Sequence, residues 1–118
     1  MIVGDRAETL RTFTAADCAA LAALTGEGGD GVHVPEPLLA AMISTLLGTR
    51  LPGRGTNYLK QDLHFAAAAR LGQLVTARVT VTRIRPAQGL VDLHACCADD
   101  AGRVLCEGRA LVRVPPQT

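Results

Sequence analysis

Residues 38–49 read LLAAMISTLLGT, apolar on nearly every face that a helix would present. Leu38, Leu39, Met42, Ile43, Leu46 and Leu47 leave no polar stripe, and a helix without a polar face is a buried helix. Pro37 suits its first turn, where the missing N–H costs nothing. Gly48 and Pro52-Gly53 close it. Whatever else this chain forms must wrap around that rod.

From Thr56 onward the apolar period changes to two. Leu59, Leu63 and Phe65 alternate with Tyr58, Lys60, Asp62 and His64. Val75, Ala77, Val79 and Val81 alternate with Thr76, Arg78, Thr80 and Thr82, and Val91, Leu93, Ala95 and Cys97 with Leu90, Asp92, His94 and Cys96. Val104, Cys106, Ala110, Val112 and Val114 stand against Glu107, Arg109 and Arg113. Each pattern predicts a strand with one buried face. The turn sequences 86–89 (PAQG) and 99–102 (DDAG) join consecutive strands into an antiparallel meander. Upstream, 7–13 predicts a short first strand. Thr14 and Asp17 are placed as a capping box for a helix over 15–25, whose Cys18, Leu21, Ala22 and Thr25 share a face. Gly26 ends that helix in the usual position for a left-handed cap. A sheet with one greasy face and a helix apolar on all sides bury each other, with the shorter helix covering part of what remains. The expectation is one α+β domain over residues 1–118, without repeats or an internal linker.

Composition narrows the possibilities further. The 118 residues are 48% hydrophobic and only 3% aromatic, so the core is built from Leu, Val and Ala. A net charge of +1 with no Lys/Arg block argues against nucleic acid or an acidic membrane surface as partner. One Tyr and two Phe make no stacking platform for single strands. No apolar run reaches the roughly 20 residues that span a bilayer, and MIVGDRAETLR lacks a signal-peptide core. A soluble, cytoplasmic protein is expected. Cys18, Cys96, Cys97 and Cys106 have no C-x-x-C spacing, so they read as small buried thiols rather than zinc ligands or disulfides.

The segment 51–65, LPGRGTNYLKQDLHF, resembles the LPGxGTxYLxQxLxF pattern of the MaoC-like (R)-specific enoyl-CoA hydratases. The opening VGD…RTFTAADCAALAALTG and the closing GRVLCEGRALVRVP are also similar to that family's pattern. The resemblance implies a hotdog fold, an antiparallel sheet around a central helix. It implies hydration or dehydration of acyl thioesters, with a coenzyme A or acyl-carrier-protein thioester as substrate and no metal or redox cofactor. It further implies a homodimer in which two subunits join their sheets and sites form between them.

In that family a G-D-x-N-P-x-H motif supplies an Asp and a His that hold one water, and a backbone N–H at the start of the central helix receives the thioester oxygen as it becomes enolate-like. This chain has TGEGGDGVH instead, without the Asn and Pro, and roughly a dozen residues of the family's overhanging segment are missing. Glu27 follows Gly26 where the family has Asp, His33 lies six positions on, and Asp30 offers a second carboxylate. Counting back from Leu46-Leu47-Gly48 places the family's His-Gly pair on Pro35-Glu36, so the Glu36 N–H is the candidate oxyanion donor. In a second alignment His33 stands for that later His, and the catalytic His is gone. Arg54, with Gly55 beside it, is free to reach a phosphate of coenzyme A or of a carrier arm, or is a solvated turn residue. Arg83 and Arg85 form a phosphate patch or a solvated edge, and His64 and His94 face outward on strands. Two further readings stay open: a non-catalytic subunit that binds acyl thioesters, and a hotdog thioesterase.

Overall fold

A computed structural model describes residues 1–116. The strands are β1 (Arg6–Thr12), β2 (Asn57–Phe65), β3 (Leu74–Arg85), β4 (Leu90–Asp99) and β5 (Val104–Arg113); the helices are α1 (Ala15–Thr25) and α2 (Glu36–Thr49). All five strands form one antiparallel sheet in the order β1-β3-β4-β5-β2. β3, β4 and β5 are the meander expected from the turn sequences. A 3-10 turn at Pro86–Gln88, closed by Gly89 in the left-handed region, joins the first pair. The Asp99 carboxylate accepts the Ala101 and Arg103 N–H groups at the second turn. The chain leaves α2 and places β2 on the outer side of β5, so β1 and β2 are opposite edges of the sheet.

The core is the interface between α2 and the concave face of the sheet. Leu39, Ile43, Leu46 and Leu47 are 0–1% exposed and meet the inward row of each central strand, including Val79, Val91, Leu93 and Val112. The inward rows expected for β3 and β4 are observed, and on β4 the outward Asp92 is buried as well. Cys97 and Cys106 oppose each other in register inside this core. Burial and the bond they share push the Cys97 thiol far up, the shared bond acting most. All four cysteines are free, with Cys96 only half-buried.

Three expectations need correction. First, α2 is not enclosed all round: Ala41, Ser44, Thr45 and Thr49 are exposed. A single five-stranded sheet curls over only one side of a helix, and α1 covers little of the other. Second, α1 forms at its expected limits, with the Asp17 carboxylate taking the Thr14 N–H at 2.8 Å and Gly26 capping onto the Ala22 carbonyl. Of its expected face, however, only Cys18 is buried, and Thr25 is exposed with its hydroxyl on the Leu21 carbonyl. Third, β2 is bulged between Tyr58 and Lys60. The extra residue breaks the period of two, turning Leu59 outward (43% exposed) and setting Tyr58 against the core. Among the described residues no helix is long and apolar enough to cross a membrane.

Candidate active site

The connection 26–35 between the helices carries three of the expected site residues. Glycine-rich sequence lets it fold tightly. A Cβ on Gly28 would come within 2.7 Å of the Cys18 carbonyl, so the loop lies directly on α1, and Gly29 and Gly31 take positive φ. Asp30 fixes the turn into residues 32–34. One of its carboxylate oxygens accepts the Val32 and His33 N–H groups, both at 2.8 Å, and the other stands 2.7 Å from His33 Nδ1. The same short segment is stitched to the strand lead-in: Val34 N–H donates to Ala69 O at 2.8 Å and Leu71 N–H to Val32 O at 2.9 Å. His33 is thereby held through its backbone on both sides and through its ring.

The carboxylate partner orients that ring. The bond from the His33 ring, then the two backbone donors, hold the Asp30 carboxyl far below the usual carboxylate range. An ionised carboxylate only accepts, so Nδ1 carries the hydrogen and Nε2 presents a lone pair. About half of each side chain remains open to solvent. The arrangement therefore provides an imidazole oriented by the carboxylate on its Nδ1 side, with Nε2 turned away from that partner. It departs from two groups sharing one water, because Asp30 touches the ring itself.

Glu27 does not join this pair. Its carboxylate accepts the Gly29 N–H at 2.9 Å, and among the described residues no hydrogen bond links it to His33. Glu36 is the first residue of α2, after Pro35 and before Pro37. Leu38 N–H turns back to Pro35 O at 3.0 Å, and Pro37 has no N–H, so Glu36 supplies the unspent backbone donor of this first turn. A helix N-terminus favours negative charge there, although the Glu36 carboxylate sits beside it. Arg54 is exposed between Gly53 and Gly55, both with positive φ. It lies past the C-terminal end of α2. The 14 residues of that helix separate it from Glu36 by about 20 Å.

Two buried carboxylates, Asp92 and Asp99, were not among the expected site residues. Asp92 points to the convex face yet is 4% exposed, because Arg85 Nη2 and Arg109 Nε each bond it at 2.7 Å. Burial pushes its carboxyl up, but the bonds and charges of Arg109 and Arg85 outweigh that and lower it. The Arg-x-x-x-x-x-x-Asp spacing across the first hairpin was the available signal. Arg85 is thus engaged rather than part of a free phosphate patch. His94 faces outward as expected, with Nε2 3.3 Å from a Glu107 oxygen. Among the described residues no group of His, Cys, Asp or Glu is arranged to hold a metal.

No family model matches this chain. It is 49% identical over 78 residues to an (R)-specific enoyl-CoA hydratase of Rhodospirillum rubrum, covering 66% of this chain and 54% of that protein. It is 34% identical over 128 residues to the (R)-specific enoyl-CoA hydratase of Aeromonas caviae, covering 96% of this chain and 95% of that one. The chain spans about half the length of two of the curated relatives it matches. Its structure superposes on an (R)-hydratase from A. caviae involved in PHA biosynthesis with a TM-score of 0.91 at 32% identity, over 98% of both chains. The architecture is a hotdog fold.

Proposed function

Because this chain belongs to the (R)-specific enoyl-CoA hydratase family, we propose that it interconverts trans-2-enoyl thioesters and (R)-3-hydroxyacyl thioesters, with coenzyme A as the carrier. The observation that supports this best is the Asp30–His33 pair at 2.7 Å, three residues ahead of the open first turn of α2. His33 Nε2 takes a proton from water as the water oxygen bonds C3. The π electrons move through C2 and C1 onto the thioester oxygen. The Glu36 N–H and the N-terminal end of α2 receive that charge. The imidazolium then returns its proton to C2, and the double bond is gone. Asp30 is a positioning residue, and Glu27 shapes the loop. Arg54 and Gly55 suit the far end of the ligand, where phosphates would lie.

Steady-state hydration of crotonyl-CoA, followed by loss of the conjugated enoyl absorbance, tests the assignment. General base catalysis contributes roughly a hundred- to ten-thousandfold, so His33→Ala should lose activity on that scale. A His33→Ala enzyme as fast as the parent refutes the site. Two observations favour a second reading, a non-catalytic thioester-binding subunit: the ring and carboxylate are about half exposed, and the Asn-Pro of the family motif is absent. Binding of crotonyl-CoA without turnover would select it.

We also propose a homodimer joined through the β2 edges. The outer edge of β2 is unpaired, and the family resemblance implies that two subunits join their sheets. Sedimentation showing only monomer overturns this.

A further inference from the structure

We propose that Cys97 and Cys106 are a redox pair, which hydrogen peroxide closes into a disulfide inside the core, stapling β4 to β5 beneath the first turn of α2. The two stand directly opposite each other on neighbouring antiparallel strands, and both are 0% exposed within the core. Opposed residues of such strands have Cα atoms about 4.5–5.5 Å apart, within the roughly 4.4–6.8 Å that a disulfide spans. Their Cβ atoms must approach by about 1 Å. The ladder can give there, because its register shifts between Cys97 and Ala98, where Leu105 is the extra residue. The other two cysteines have no such partner. Cys18 lies on α1, and Cys96 is paired in register with Arg78 and Glu107.

The two thiols already meet. The Cys97 thiol donates to the Cys106 sulfur, and that bond lowers the Cys106 thiol against the opposing effect of burial. Cys106 is therefore the sulfur that attacks. Its thiolate bonds one oxygen of peroxide, the O–O bond breaks, and hydroxide leaves with the proton that Cys106 gave up, as water. The Cys97 sulfur then attacks the resulting sulfenic acid. An S–S bond forms, the S–O bond breaks, and the Cys97 proton leaves in a second water. Two thiols lose two electrons and one peroxide gains them. Peroxide reaches the pair when the end of the hairpin opens. Beyond the pair that end is held by the pairing of Ala98 with Val104 and by the turn, where Asp99 N–H bonds Arg103 O at 3.0 Å. Such ends open without global unfolding. Closure has two effects. The cross-link restricts the unfolded chain, and Cys97 no longer has a hydrogen for Leu39 O, 3.7 Å from its sulfur and three residues past Glu36.

The pair takes no part in the proposed hydration, so its test needs no substrate. The reduced, folded protein is exposed to hydrogen peroxide without denaturant and read by intact mass, peptide mapping and thermal melting. The mass should fall by two hydrogens, and the melting temperature should rise by roughly 5–10 °C. Dithiothreitol in mild urea should restore both. Trypsin should release residues 84–103 joined to residues 104–109. The same join in Cys96→Ser assigns the bond to Cys97, and its loss there overturns the pair. Thiols that stay reduced until the protein unfolds, sulfinic acid at either position without a cross-link, or a cross-linked form that melts no higher than the reduced one also overturn the proposal.

Discussion

Two glycine-to-alanine substitutions should move stability in opposite directions, and the reason is geometric. Gly108 in β5 lies opposite Leu63 of the edge strand β2. A Cβ there would stand 1.7 Å from the Asp62 carbonyl oxygen and 2.7 Å from its carbon. Carbon–oxygen contacts in sheets lie near about 3.3 Å, so in Gly108→Ala the β2 backbone must retreat by roughly 1.5 Å. That movement removes about two ladder hydrogen bonds at about 1 kcal/mol each. It also lifts Leu63 and Phe65, which pack against the core, uncovering apolar area worth about 1 kcal/mol. The expected loss is about 3 kcal/mol from a total on the order of 5–15 kcal/mol. For a domain of this size the melting temperature should fall by roughly 12 °C. A Cβ on Gly48, near the end of α2, would meet nothing within 4 Å. Gly48→Ala should instead gain about 0.5–1 kcal/mol, the helix preference of alanine over glycine. Thermal melts followed by far-UV circular dichroism, with urea titrations for the free energies, measure both. A Gly108→Ala protein melting within about 2 °C of the parent would refute the close approach of β2 to β5.

Other perturbations reach the site and the charge network. Asp30→Asn keeps the shape but offers an amide N–H to His33 Nδ1, forcing the wrong tautomer; hydration should drop by roughly a hundredfold or more, with the melting curve little changed. In Glu36→Pro the first-turn N–H is removed at a position where proline is tolerated. Losing that oxyanion donor should lower kcat on the order of a hundredfold, and unchanged kcat would exclude the Glu36 amide. The Asp92 carboxyl is lowered in the folded protein by Arg109 and Arg85 against the opposing effect of burial. Its ion pairs therefore contribute fully above the ordinary carboxylate pKa and are lost as pH falls through the lower folded value. Melts between pH 6 and 3 should show a decline setting in below about pH 4, less steep in Asp92→Asn; parallel curves would show that the pair adds nothing.

Most of the architecture was legible because it depends on local periodicity. The limits of α1, the two hairpin turns, the inward rows of β3 and β4 and the apolar face of α2 come from spacing that any short window contains. The exceptions have a common cause. Leu59 was placed with Leu63 and Phe65 because a period of two cannot announce the bulge that turns it outward. The run of α2 looked buried on all sides because hydropathy cannot count how many layers cover a helix. Asp92 passed as an outward polar residue because Arg85 and Arg109 reach it from a neighbouring strand and hairpin.

The site divides in the same way. Asp30, His33 and Glu36 were candidates through the family resemblance, which lines TGEGGDGVH up with the family's Asp/His motif and Pro35-Glu36 with its later His-Gly pair. That Asp30 rather than Glu27 meets the imidazole was decided only by folding. Periodicity is a property of neighbours in sequence and is written there. Which carboxylate closes on a ring, and which face of a helix a sheet leaves bare, depend on distances between segments that meet only in three dimensions.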